Sequence, residues 1–172
     1  MIRLQPRPGP KFKAEANDVI DRLTRKGTRD LIVRPEGVGS HPNCYSPQRL
    51  DLVTVEFEFY NRADVAIVRL QRGAMVAMIR SLRVAPHGFV VGYGGTGATA
   101  SYRTCPLQAE LHARYLAGVG GKAVPAGESI HNRGLAIDAP HDDDGAKALK
   151  AQGFHVGEVS GDPSHCTWRM PG

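Results

Sequence analysis

The order of residues predicts one α+β domain. Three observations carry that expectation: a strand-period segment from Leu52 to Tyr60, a helix-period segment between Asn61 and Pro86, and a final third in which short apolar runs alternate with glycine-ended helical ones. Met1 to Lys13 holds Pro6, Pro8 and Pro10 among four basic residues without periodicity, and so reads as an irregular arm. Asn17 offers a capping side chain, Val19, Ile20 and Leu23 an apolar face, and Gly27 a terminator, which together predict a short amphipathic helix. Arg34 to Arg49 contains Pro35, Gly37, Gly39, Pro42 and Pro47 and is expected to be a loop.

In the next segment Val53, Val55, Phe57 and Phe59 alternate with Thr54, Glu56 and Glu58, the period of a half-buried strand. Asn61 is then expected to cap a long core helix in which Val65, Val68, Met75, Met78, Ile79 and Leu82 recur until Pro86. Gly92-Tyr-Gly-Gly-Thr-Gly97 has the glycine content of a nucleotide loop. The residues that follow, Ala98 to Arg103, read as strand or loop and not as the helix a dinucleotide fingerprint needs.

Thr104 and Pro106 open a helix that runs through Gln108, Leu111, Tyr115 and Leu116 to Gly118. A glycine-rich link to Gly127 precedes a strand at Leu135–Ala139. Asp142, Asp143 and Asp144 favour a helix start, Ala146–Gln152 fills that helix and Gly153 ends it. Phe154–Val159 and Cys166–Met170 complete the set as strands. No repeat or linker divides residues 1–172.

A chain of 172 residues, 41% hydrophobic and 23% charged, can build its own core, which excludes disordered and collagenous classes. Apolar runs such as Gly73–Ile79 are too short to span a bilayer, and Met1–Pro8 lacks a signal peptide's apolar stretch. The expectation is a protein made in the cytoplasm without an export signal. Its formal charge is 22 − 17 = +5, which attracts polyanions such as nucleic acid or an anionic cell wall. The basic residues are scattered without aromatic interleaving, so a solvated basic surface is the simpler reading. Cys44, Cys105 and Cys166 cannot all pair and form no C-x-x-C motif, and each is read as a small buried hydrophobe.

Chemistry gathers in the last third. On a strand, Gly134, Ala136 and Asp138 share one face while Leu135 and Ile137 take the other. Asp138 thus projects over a floor of minimal side chains, and His131, just before the strand, can turn into the same space. His165 stands in a later turn, three residues after Asp162. Two imidazoles and one carboxylate suit catalytic zinc, since they fill three tetrahedral positions and leave one for water. A carboxylate that does not bind metal is then needed to take a proton, and Asp162 is the candidate. An arginine is wanted to neutralise substrate or oxyanion charge.

Ser129-x-His131-x-x-Gly134-x-Ala136-x-Asp138 resembles the S-x-H-x-x-G-x-A-x-D motif of the zinc peptidases that include D-alanyl-D-alanine carboxypeptidases and dipeptidases and the L-alanyl-D-glutamate endolysins of phages. Asp162-Pro-Ser-His165 is similar to their closing element, and Ser101-Tyr-Arg103-Thr with Gln108-x-x-Leu111 to their S-x-R…Q…L segment. The likeness covers Val90 to Arg169. It implies a small, mostly antiparallel sheet with flanking helices, of the Hedgehog/DD-peptidase kind. It further implies His131, Asp138 and His165 as zinc ligands, Asp162 as general base, Arg103 as electrostatic stabiliser, and Ser129 and Gln108 as substrate-side residues. Asp162 stands where many members have Glu, and Ser164 where many have Trp. Glu128 and Glu158 are substitute bases, and Trp168 is either a replacement aromatic wall or a core residue.

The function expected from this is a zinc-dependent peptidase cutting a stem-peptide bond of peptidoglycan, acting as a monomeric phage endolysin on the wall after release. Two other classes stand beside it: a non-catalytic, metal-bearing wall-binding module, and a basic nucleic-acid-binding protein. Asp142–Asp144 read as a solvated helix start or, more sharply, as a calcium site, although the EF-hand pattern is absent.

Overall fold

The structure, a computed structural model, describes residues 2–25, 50–60, 64–92 and 100–169. It is α+β. In order, the elements are β1 (Ile2–Leu4), α1 (Pro10–Thr24), β2 (Leu52–Phe57), β3 (Ala66–Gln71), α2 (Arg72–Val84), α3 (Cys105–Leu116), a 3-10 turn (Ile130–Arg133), β4 (Ala136–Asp138), α4 (Asp143–Ala151), β5 (Phe154–Val156) and β6 (His165–Trp168). The strands divide between two three-stranded sheets, β1-β2-β3 and β4-β6-β5. The second is antiparallel throughout, while β1 runs parallel to β2. One cluster of buried side chains joins them, with Val55, Phe57, Met75, Ile79, Ile137 and Phe154 among its members.

Three local expectations are corrected. The arm is ordered: Ile2 and Leu4 are buried and pair with Val55 and Phe57, a non-local contact that the prolines obscure. Pro10 does not prevent a helix but begins one, since its missing N–H falls where no helical bond is needed. From there Phe12, Ala16, Val19, Ile20 and Leu23 form one buried stripe, so α1 starts seven residues before Asn17.

The third correction concerns the long helix expected from Asn61. Asn61 itself lies outside the described residues, and Ala66–Gln71 within the expected span is β3, in which Ala66, Val68 and Leu70 face the core while Ile67 lies on the exposed side. That outward isoleucine masks the alternation, and pairing with β2 from Leu52↔Gln71 to Phe57↔Ala66 decides the outcome. The helix proper begins at Arg72, and its Met75, Met78, Ile79 and Leu82 are fully buried against the core, as expected of packing residues. The Arg34–Arg49 loop and most of the Gly92–Gly97 motif lie outside the described residues. Ala100–Arg103 is irregular backbone rather than a strand.

Thr104 caps α3 by accepting from the Leu107 N–H, and Asp142 caps α4 through the Gly145 N–H at 2.7 Å, both at the expected starts. Cys166 is a free, buried thiol, pushed up to about 12 by burial and by the charges of Asp138 and Asp162. Cys105 departs from the apolar reading: it is disulfide-bonded and only partly buried, at the head of α3 and outside the core. Cys44 lies outside the described residues. No helix among those residues is long and apolar enough to cross a membrane.

Where α4 meets the turn after α2, two backbones touch. A Cβ added at Gly145 would lie 1.9 Å from the carbonyl oxygen of Gly88, and neither partner is a side chain that can swing away. Gly145→Ala is therefore expected to cost about 3 kcal/mol, read as a fall of roughly 10 °C in the calorimetric Tm.

Candidate metal centre

The site is built on the segment from Ser129 to Asp138. Ser129 caps the 3-10 turn, its hydroxyl accepting from the His131 N–H at 3.3 Å. Gly134 ends the turn at φ +66°, where a Cβ would also collide with Leu52 at 2.5 Å. Between those two stops the turn directs His131 inward, leaving it 2% exposed. The ring is fixed by the Ser101 carbonyl, 2.7 Å from Nδ1. A carbonyl can only accept, so Nδ1 carries the proton and Nε2 presents its lone pair to the pocket.

From this turn β4 leads directly to Asp138, whose Cα partner across the ladder is His165 of β6. Directly opposed residues share a face of the sheet, so the pairing brings carboxylate and imidazole together. Thr167, two residues further along β6, points the same way, and its Oγ1 lies 3.2 Å from His165 Nε2. The hydroxyl can accept from Nε2 there, and in that tautomer His165 Nδ1 offers the second lone pair.

Three ligand atoms meet. His131 Nε2 and His165 Nδ1 are 3.3 Å apart, and each is 3.2 Å from Asp138 Oδ1. Metal bonds of about 2.0–2.1 Å at tetrahedral angles place ligand atoms about 3.3–3.4 Å apart. The triangle has those edges, and this buried His-Asp-His cluster could hold a metal ion with one position left open. In the tautomers that bind metal, two lone pairs and a carboxylate oxygen face one another at this separation, which a cation between them relieves. Among the described residues no other group of three or more His, Cys, Asp or Glu gathers in this way.

The second Asp138 oxygen is claimed by Arg103 Nη2 in a partly buried ion pair. Arg103 is itself held on several sides. Its N–H donates to the His131 carbonyl at 3.2 Å, its carbonyl accepts from Asn132 Nδ2 at 2.8 Å, and Nη1 reaches Gln108 Oε1 at 3.5 Å. Burial weakens the guanidinium's hold on its proton, against the charges of Asp138 and Asp162. Burial also pushes Asp138 up, but His131, His165 and the charge of Arg103 beside it outweigh it and hold the carboxyl far below the usual range. His131 is pushed down by burial despite Asp138, so it is neutral and competent as a ligand.

A pocket of about 720 Å³ opens over the cluster, and Arg103, Gln108, Glu128, Ser129 and Asp162 all line it. Asp162 lies apart from the ligand triangle, its Oδ1 accepting from Ser164 Oγ at 2.7 Å. Two expected substrate-side residues are engaged elsewhere. The Ser129 hydroxyl is used in capping, and Gln108, 1% exposed, spans from Arg103 to the Val124 carbonyl, 2.7 Å from its Nε2. Both are on the wall of the pocket, and their polar atoms position other residues.

Glu158 is diverted from the site by His155 at 2.8 Å and Arg169 at 3.0 Å, which leaves Glu128 as the alternative base on the pocket wall. Trp168 takes the core role. Its ring covers Gly73 of α2 and its Nε1 donates to the Gln152 carbonyl at 3.0 Å. Asp142–Asp144 do not gather into a ligand group, since Asp142 caps α4 and Asp144 pairs with Lys147.

Sequence reasoning missed Asn132 and Thr167, and it named Ser101 without foreseeing that its carbonyl holds His131. Asn132, 2% exposed, joins the Arg103 carbonyl to the Gly127 N–H, and so ties the arginine's loop to the histidine's turn. Only Thr167 had a signal, because a residue two after a ligand on a strand must share its face. No protein-family model, curated protein or solved structure matches the chain.

Proposed function

We propose that the protein is a zinc-dependent peptidase of the D-alanyl-D-alanine carboxypeptidase and L-alanyl-D-glutamate endolysin kind, with their Hedgehog/DD-peptidase-like fold, acting on the stem peptide of peptidoglycan in host cell lysis. One observation carries the reading. The ligand triangle of His131, Asp138 and His165 lines a pocket that also holds a carboxylate outside the triangle, Asp162, and a partly buried arginine, Arg103. Three nitrogen and oxygen ligands with a fourth position open are the arrangement of catalytic zinc, whereas structural zinc sites are closed by four protein ligands.

When bound there, zinc supplies Lewis acidity and a water acidic enough to react near neutral pH. The chain's own residues supply the rest. The Ser101 carbonyl holds His131 in the tautomer that leaves a lone pair toward the site, and the Thr167 hydroxyl is placed to accept from His165 Nε2 when Nδ1 binds the metal. Arg103 keeps Asp138 to a single inward oxygen and adds a positive charge beside the point where the scissile carbonyl would become anionic. Asp162, kept out of the triangle and oriented by Ser164, takes the proton from the attacking water and returns it to the leaving amine. The net charge of +5 favours approach to an anionic wall.

Digestion of purified peptidoglycan, followed by mass spectrometry of the released fragments, tests this. New amino termini at one stem-peptide bond are expected with zinc and none with a chelator. An unchanged fragment pattern in both samples would remove the peptidase.

A further inference from the structure

The pocket continues beyond the ligand triangle along one side of α3. Gln108, Leu111 and Arg114 line it at three-residue spacing, so they form a row that climbs the helix from floor to rim. The opposite wall is the link between α3 and the 3-10 turn, and it is fastened to α3 in register. The Val124 carbonyl accepts from Gln108, the Ala123 carbonyl lies 2.7 Å from His112 Nδ1, and a Cβ at Gly120 would sit 3.1 Å from the Arg114 Cβ. Lys122 falls between the last two of these ties and lines the same pocket. Two cations therefore share its outer end.

Among the described residues neither the Arg114 nor the Lys122 head group has a hydrogen-bond or ion-pair partner, and both are exposed. Between them and the floor lie Leu111 and Val124, the latter 42% exposed. The lining thus passes from a charged floor through an apolar middle to a cationic rim. Six residues of helix separate Gln108 from Arg114, about 9 Å along the axis. An extended peptide covers that distance in two to three residues at about 3.3 Å each.

We propose that Arg114 and Lys122 form a carboxylate-recognition subsite, which selects peptides bearing an acidic group two to three residues from the bond held over His131, Asp138 and His165. The inference deepens the peptidase reading and rests on it for the position of that bond. Asp138 is already neutralised by Arg103, so the charged groups left in the lining to meet an incoming carboxylate are the cations Arg114 and Lys122 and the carboxylates Asp162 and Glu128, the two cations having no ion-pair partner among the described residues. Leu111 and Val124 would accept a small apolar residue between the two charges.

The test uses a synthetic five-residue stem peptide, with free carboxylates and with each amidated in turn. Each form is titrated calorimetrically into the zinc-loaded full chain carrying Asp162→Asn, and into the same chain carrying Arg114→Gln and Lys122→Gln as well. The first protein is expected to bind one acid form at least roughly fivefold tighter than its amide at low salt, with the preference shrinking as salt rises. The second is expected to bind the two alike while keeping its zinc. Equal binding of acid and amide by the first protein, or a preference that survives the double replacement, would overturn the subsite.

Cleavage by the unaltered chain is scored separately. Cleavage without charge preference removes the subsite and leaves the peptidase. Charge-dependent binding without cleavage upholds the subsite and removes the peptidase. Neither binding nor cleavage removes both.

Discussion

Replacing His131 with alanine is expected to cut bound zinc to less than about a tenth of an equivalent and to lower peptidoglycan digestion by at least about a thousandfold. The ring is held on one side by the Ser101 carbonyl and faces the other two ligand atoms at 3.2 and 3.3 Å, so nothing else in the turn can take its place. Its loss leaves a two-ligand site and a buried cavity together. His131→Gln separates these effects, since it fills the space and keeps a donor for Ser101 while lacking a good zinc ligand. Both variants should lose the stabilisation that metal gives the unaltered chain, about 2.7 kcal/mol at a hundredfold excess over Kd. Thermal scans with and without zinc read that difference. A His131→Gln protein that still gains stability from zinc and holds one equivalent would show that the triangle is not the metal site.

Two members of the candidate cluster, His131 and Asp138, were legible because they depend on local rules. Side chains alternate along β4, glycine ends the turn that aims His131, and Asp138 stands above small residues, all within ten residues of chain. What brings His165 to Asp138 is different in kind. The pairing of β4 with β6 joins residues 27 apart in sequence, and no local pattern specifies which residues of the two strands oppose one another. The same limit explains the misreadings nearer the N-terminus. A three-residue strand such as Ile2–Leu4 has no stability outside its pairing with β2. In Ala66–Gln71 the outward Ile67 let a helical spacing compete with the strand period until the partner strand decided.

Polar positioning was harder still to read. Ser129 and Gln108 line the pocket, yet their hydrogen bonds turn them toward capping and bracing, which residue type alone does not reveal. Asn132 and Ser101 act through a side-chain bridge and a main-chain carbonyl, respectively, set by how three loops meet. Such contacts belong to the assembled fold, and any polar residue at the right place could have made them.

Asp162→Asn is the other large effect expected: full zinc content with turnover lowered by about a hundredfold to ten-thousandfold, the range for removing a general base. The Asp162 carboxylate bonds to none of His131, Asp138 and His165, its side-chain partner being the Ser164 hydroxyl, and the Asp162 main-chain carbonyl, which accepts from the His165 N–H at 3.3 Å, is kept in asparagine, so the replacement leaves the ligand triangle intact. Asparagine keeps the size and can still engage Ser164, but it cannot accept and return a proton. The fall should therefore appear in kcat with little change in KM. Asp162→Glu restores the carboxylate on a longer arm and is expected to recover part of the rate, which a purely structural role for the Asp162–Ser164 contact would not produce. Glu128 lines the same pocket and is the one substitute in position. If Asp162→Asn digests peptidoglycan at the native rate and Glu128→Gln does not, the base is Glu128, and the acidic residue three before the last histidine serves only to shape its turn.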